Sequence, residues 1–90
     1  MIEFLKIPSI STGHLTEKVA AELTELGDSN PWTICAEYEY GFFLYVDDLG
    51  GSAPQCLKDI RDWLEENHEP GWVRLDRDVP AVDGLPLYDW

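Results

Sequence analysis

The sequence predicts an α+β domain, a two-layer sandwich with the element order β-α-β-β-α-β, and three observations carry that prediction. Apolar residues in the middle of the chain recur at every second position. The segments on either side of it carry apolar residues at helical spacing, and Gly- and Pro-containing clusters punctuate the boundaries. The expected arrangement is ferredoxin-like or a relative of it: an antiparallel four-stranded sheet, two helices on one face, and an irregular C-terminal tail.

Ile2 to Ile7 is apolar at nearly every position and is broken by Pro8 and "SISTG", which reads as a first strand and its loop. From there Leu15, Val19, Leu23 and Leu26 follow helical spacing, with Glu17, Lys18, Glu22 and Glu25 on the other face. Thr12 or Thr16 is the candidate N-cap, and Gly27 the residue beyond the C-terminus.

In "PWTICAEYEYGFFLYV" the even positions from Trp32 to Val46 are all apolar or aromatic, and the stretch is too long for one strand. A three-residue loop, Glu39-Tyr40-Gly41, would pair 38 with 42, 36 with 44 and 34 with 46, keeping one apolar face and placing Gly41 in a bulge at positive φ. Ser52 and Gln55 then resemble a capping box with Pro54 in the first turn. The second helix would bury Ala53, Cys56 or Leu57, Ile60, and Trp63 or Leu64, and end at "NHEPG". "WVRLDRD" is the last strand, with Val73 and Leu75 inward.

On this reading Leu5, Ile7, Ile34, Ala36, Leu44, Val46, Val73 and Leu75 meet the helices. The open face then carries Phe4, Lys6, Cys35, Glu37, Phe43, Tyr45, Trp72, Arg74 and Asp76, too aromatic to be left wholly in water. The tail, residues 79–90, ends in Leu85, Leu87, Tyr88 and Trp90 and is expected to lie across that sheet face as a cover. The alternative use of the tail is as a ligand motif anchored by Trp90 in a partner's pocket.

One domain spanning 1–90 accounts for the length, with a core large enough to dispense with metal or disulfide staples. Cys35 and Cys56 read as buried free thiols. The first ten residues lack a basic n-region and a long apolar run, so a cytoplasmic protein without membrane segments is expected, as a monomer or small homo-oligomer. Eighteen acidic side chains against six basic ones give a net charge of -12, which argues against direct binding of nucleic acid or anionic membranes and points to a basic or neutral protein partner. Aromatics on an open sheet suggest a single-stranded RNA platform, but such platforms need basic surroundings.

No residue set forms a catalytic or metal-ligand motif, and no cofactor is expected. Asp76 and Asp78 with Asp47, Asp48 and His14 could be drawn together around a hard cation, which is the basis for the alternative of a small metal-dependent hydrolase. Solvated or paired carboxylates are the simpler reading in so acidic a chain. His68 sits near a helix C-terminus, where a partial positive charge is favourable. Twelve excess negative charges match roughly six base pairs of duplex, so a domain with its carboxylates on one side could act as a nucleic-acid mimic.

The stretches "STGHLT" (11–16), "YEYGFFLYV" (38–46), "LDRD" (75–78) and "LPLYDW" (85–90) resemble a small uncharacterised family, a domain of unknown function encoded on plasmids and integrative elements of proteobacteria. Its most specific part is a C-terminal LPxYDW motif. The resemblance implies no activity and no catalytic residue. It implies a setting in which accessory genes act against host defence systems or stabilise the element.

The leading expectation is a non-enzymatic interaction module for a basic DNA-binding or defence protein. Its partner-binding residues would be Glu17, Glu22, Glu25, Asp59, Asp62, Glu65 and Glu66 on the helices, and the aromatics Tyr45, Trp72, Tyr88 and Trp90. Lys18, Lys58 and Arg61 would weaken that surface if they interrupt it at every turn. A regulatory subunit recognised through its aromatic tail is the further alternative.

Overall fold

Thr16 opens the first helix, its Oγ1 accepting the Val19 N–H at 3.2 Å, in the computed structural model, which describes residues 2–4, 6–69, 71–88 and 90. Helix α1 (Glu17–Leu26) stops where Gly27 takes φ 55°, a left-handed conformation that an L side chain rarely adopts. A 3-10 turn, Gly27–Ser29, follows. Asn30 then organises the approach to the sheet: its side-chain amide donates to the Gly27 and Thr33 carbonyls and accepts the N–H groups of Trp32 and Thr33. A buried amide with every bond made explains why a polar residue is stable there.

The sheet has the order β1-β4-β3-β2, built from β1 (Ser9–Ser11), β2 (Ile34–Tyr38), β3 (Gly41–Tyr45) and β4 (Trp72–Asp76). Strand β1 runs parallel to β4, pairing Ile10 with Leu75, while the other pairs are antiparallel. The sheet is therefore mixed rather than wholly antiparallel, and the expected resemblance to ferredoxin-like domains extends only to element order. The first strand also lies later than expected. Ile2 and Phe4 are exposed, Leu5 lies outside the described residues, and Ile10 supplies the buried apolar side chain of this strand.

The hairpin differs from the expected register by its turn. Ile34 faces Tyr45, Ala36 faces Phe43 and Tyr38 faces Gly41, so a two-residue turn, Glu39-Tyr40, replaces the three-residue loop. Odd positions of β2 then share a face with even positions of β3. Cys35 joins Phe42 and Leu44 in the core, and the expected core residues Ile34 and Ala36 move to the open face. Gly41 is needed for a reason other than positive φ: a Cβ there would lie 1.8 Å from the Leu75 carbonyl oxygen. Cys35, expected on the open face, is buried, and its thiol is pushed up to about 11 by burial first and then by Glu37 and Asp28.

Helix α2 (Gln55–Glu66) is capped by Pro54, with no side-chain bond to its first turn, so Ser52 and Gln55 do not form the expected box. Gln55 instead donates to Asp59 one turn on. The α2 stripe Cys56, Leu57, Ile60 and Leu64 joins Val19, Ala20 and Leu23 of α1 in one core against Leu44, Val73 and Leu75. Both helices thus cover one face of the sheet. At the end of α2, His68 itself takes the left-handed position, φ 56°, and the Glu69 N–H returns to the Leu64 carbonyl. Among the described residues, no helix is long and apolar enough to cross a membrane.

Candidate functional site

The tail is fastened to the helical layer. After the 3-10 turn Thr12–His14, the His14 imidazole is buried, with Nδ1 2.8 Å from the Pro86 carbonyl oxygen and Nε2 3.0 Å from the Val82 nitrogen. A carbonyl only accepts and a backbone N–H only donates, so Nδ1 carries the proton and Nε2 is bare. The Tyr88 N–H donates to the Gly13 carbonyl at 2.8 Å and the Trp90 Nε1–H to the Leu15 carbonyl at 2.9 Å. Val82, Leu85 and Tyr88 pack against the core, and Gly84 faces the Trp63 ring. Burial pushes the Tyr88 hydroxyl up. These described bonds place the tail against the start of α1 and the side of α2, not over the open sheet face where a cover was expected.

Trp90 nonetheless stays 54% exposed. It borders a groove of about 550 Å³ between α1 and the β2–β3 turn. Its apolar surface comes from Ala20, Ala21, Tyr40, Phe42 and Trp90, and its rim carries Glu17, Glu25, Glu37 and Glu39. Arg77, the one cation lining it among the described residues, lies over the Tyr40 ring at 5.2 Å from its centroid. Thr24 Oγ1 donates to Glu37 at 2.8 Å and ties the helix to the edge strand. Glu37 and Glu39 were not among the expected partner-binding residues. The corrected register places Glu37 on the α1 side, next to this rim.

The seven carboxylates expected to form one acidic surface fall into groups on either side of the tail. Glu17 and Glu25 border the first groove. Asp59, Asp62 and Glu66 border a second, smaller one with Trp63, Gly84 and Pro86. Glu22 lines neither, and Glu65 is exposed beside Glu66. Arg61 is bonded to its neighbour Asp62 at 3.1 Å. Lys18 is exposed on α1 and Lys58 half-buried on α2.

On the open face, Tyr45 and Trp72 form a tilted pair with ring centroids 5.2 Å apart, and Tyr38 packs on Phe43 at 5.1 Å. Beside Tyr38, Asp76 is buried, with Oδ2 accepting the Tyr38 hydroxyl at 2.6 Å and Oδ1 the Asp78 N–H at 2.8 Å. These bonds hold the Asp76 carboxyl below its ordinary range. Burial first, and then Asp76, pushes Tyr38 up to about 12. The five residues weighed for metal chemistry are not brought together. Asp76 and Asp78 share one end of the β3–β4 pair, Asp47 and Asp48 follow the opposite end, and His14 is enclosed by the tail. Among the described residues, no group of three His, Cys, Asp or Glu side chains could hold a metal ion.

A pH dependence follows from the Tyr38–Asp76 bond. Asp76 has a lowered pKa in the folded state, so its contribution is complete above the unfolded value of about 4 and is lost as pH falls through the folded one. The raised Tyr38 gives the opposite limb, complete below about 10 and lost as pH rises through about 12. Tyr38→Phe is expected to flatten both limbs in urea midpoints measured from acid to alkaline pH. Unchanged limbs would assign them to other groups.

Comparison with known proteins gives one finding. A model described as the C-terminal domain of a family of unknown function, DUF5983, matches residues 7–90. No curated protein and no solved structure matches the chain.

Proposed function

Because the chain belongs to the DUF5983 family, whose description assigns no activity, we propose from its own surface that it is a non-enzymatic module binding a basic protein. The observation that carries this reading is the pairing of excess charge with apolar grooves. Four glutamates rim one groove and three carboxylates the other, in a chain of net charge -12. Charge of one sign speeds encounter with an oppositely charged partner, and the apolar floor supplies contact area once the two meet. The exposed Trp90 belongs to the same surface, so the tail is at once a fastening and a part of the interface.

The finer form of the proposal is a nucleic-acid mimic. Both helices lie on one side of the sheet, and their carboxylates flank the tail in two groups as phosphates flank a groove. Its target would be a DNA-binding or defence protein met in the setting of a mobile element. The test is affinity capture from the native host's lysate at low and then moderate salt, followed by competition with duplex DNA for the captured protein. A basic partner that salt releases and DNA displaces is the expected result. A partner that survives salt and ignores DNA would overturn the mimic, and a neutral one would overturn the wider reading.

A further inference from the structure

We infer that the groove between α1 and the β2–β3 turn receives an extended segment bearing arginine or lysine, with a cationic side chain laid against the exposed Trp90 indole; this rests on the reading above and names its site. Three features of the groove converge on that occupant.

The first is charge. Glu17, Glu25, Glu37 and Glu39 face a space that, among the described residues, holds one cation, Arg77. An arginine or lysine entering there meets an excess of carboxylates, and none of these four is in a salt bridge with another described residue. The second is the aromatic wall. Arg77 already sits over Tyr40 in a cation–π contact, which shows that the local geometry accommodates a guanidinium on a ring. The Trp90 indole, bonded through its Nε1–H to the Leu15 carbonyl, is a second ring on this groove, with no cation over it among the described residues.

The third is backbone. Strand β2 is at the sheet edge, and the outward direction of the Cys35 N–H is shown by its bond to the Asp28 carboxylate at 3.2 Å. In an antiparallel pair the inward and outward groups alternate, so Glu37, two residues on, turns its N–H and C=O outward as well. Asp28 blunts the edge at Cys35, while the edge at Glu37 opens beside the groove. A strand-like guest can bond there and send alternate side chains towards the carboxylates, the mode of strand addition.

The experiment uses the full chain and a labelled peptide of alternating arginine and leucine, followed by fluorescence anisotropy at low salt. Two variants of equal charge change are compared. One carries Glu17→Gln, Glu25→Gln, Glu37→Gln and Glu39→Gln; the other carries Asp59→Asn, Asp62→Asn, Glu65→Gln and Glu66→Gln. The groove variant is expected to bind about tenfold more weakly than the parent, and the α2 variant to lose no more than about threefold. Trp90→Leu is expected to cost about fivefold and Trp90→Phe less, since phenylalanine keeps a ring for the cation. Far-ultraviolet circular dichroism establishes that each variant is folded. Equal weakening by the two charge variants would overturn the groove as the site and leave the basic-partner reading standing. A parent chain that ignores the peptide and also captures no basic protein would overturn both.

Discussion

Replacing His14 by alanine is expected to destabilise the fold by about 3 kcal/mol, read as a lower urea midpoint with little change in slope. His14 is 2% exposed, and among the described residues its ring is the one partner of both the Pro86 carbonyl and the Val82 N–H. Its removal leaves one acceptor and one donor unpaired and a void beneath the tail, and each of these effects is destabilising by itself. Glutamine, with one donor and one acceptor on a planar amide, is expected to restore part of the loss. A loss below about 1 kcal/mol in the alanine variant would mean that water replaces the ring freely and that the tail is held mainly by its apolar contacts.

The second large effect is expected at Gly41. An alanine Cβ would lie 1.8 Å from the Leu75 carbonyl oxygen and 2.7 Å from its carbon, and both belong to backbone that cannot rotate aside. Strand β4 is paired on both sides, so moving it away disturbs β1 as well as β3. A loss on the order of 3 to 4 kcal/mol is expected, enough to lower the melting temperature by more than about 10 °C in a domain of this size. Gly51→Ala is the control: no atom lies within 4 Å of a Cβ there, and only a small change is expected. Equal melting temperatures for the two variants would show that β4 yields without cost.

Local signals survived the passage from sequence to structure, and register did not. Thr16 and Gly27 mark the ends of α1 because a cap and a left-handed glycine act within one turn of chain. The alternation of β4 was legible for the same reason, with Val73 and Leu75 inward. In the hairpin, one residue of loop length reverses the faces of a whole strand, and the even-numbered apolar set from Trp32 to Val46 fits either face of β2. Gly41, which opens β3, also lies against the Leu75 backbone of a strand more than thirty residues away, a contact that no local pattern announces. The candidate groove was half legible. Glu17, Glu25 and Trp90 were expected to meet a partner, whereas Glu37 and Glu39 follow only from the true register. His14 was weighed for catalysis and is instead a fastening, since its partners Pro86 and Val82 lie 72 and 68 residues away and no local pattern announces them.

Those separations also bear on the order in which the chain is assembled. The bonds from His14, Gly13 and Leu15 to the last residues close the longest loops in the molecule's described hydrogen bonding, the Trp90 bond spanning 75 positions. Closing a loop of that length costs entropy before any contact rewards it, and here the reward is a handful of bonds and partly buried side chains at the surface of the core. The strap is therefore fixed after the helices and the β2–β3 pair, and it is the first part to be released when the protein opens. Until it is fixed, the groove lacks its indole wall. The helices and the β2–β3 pair thus form before the surface for a partner is complete.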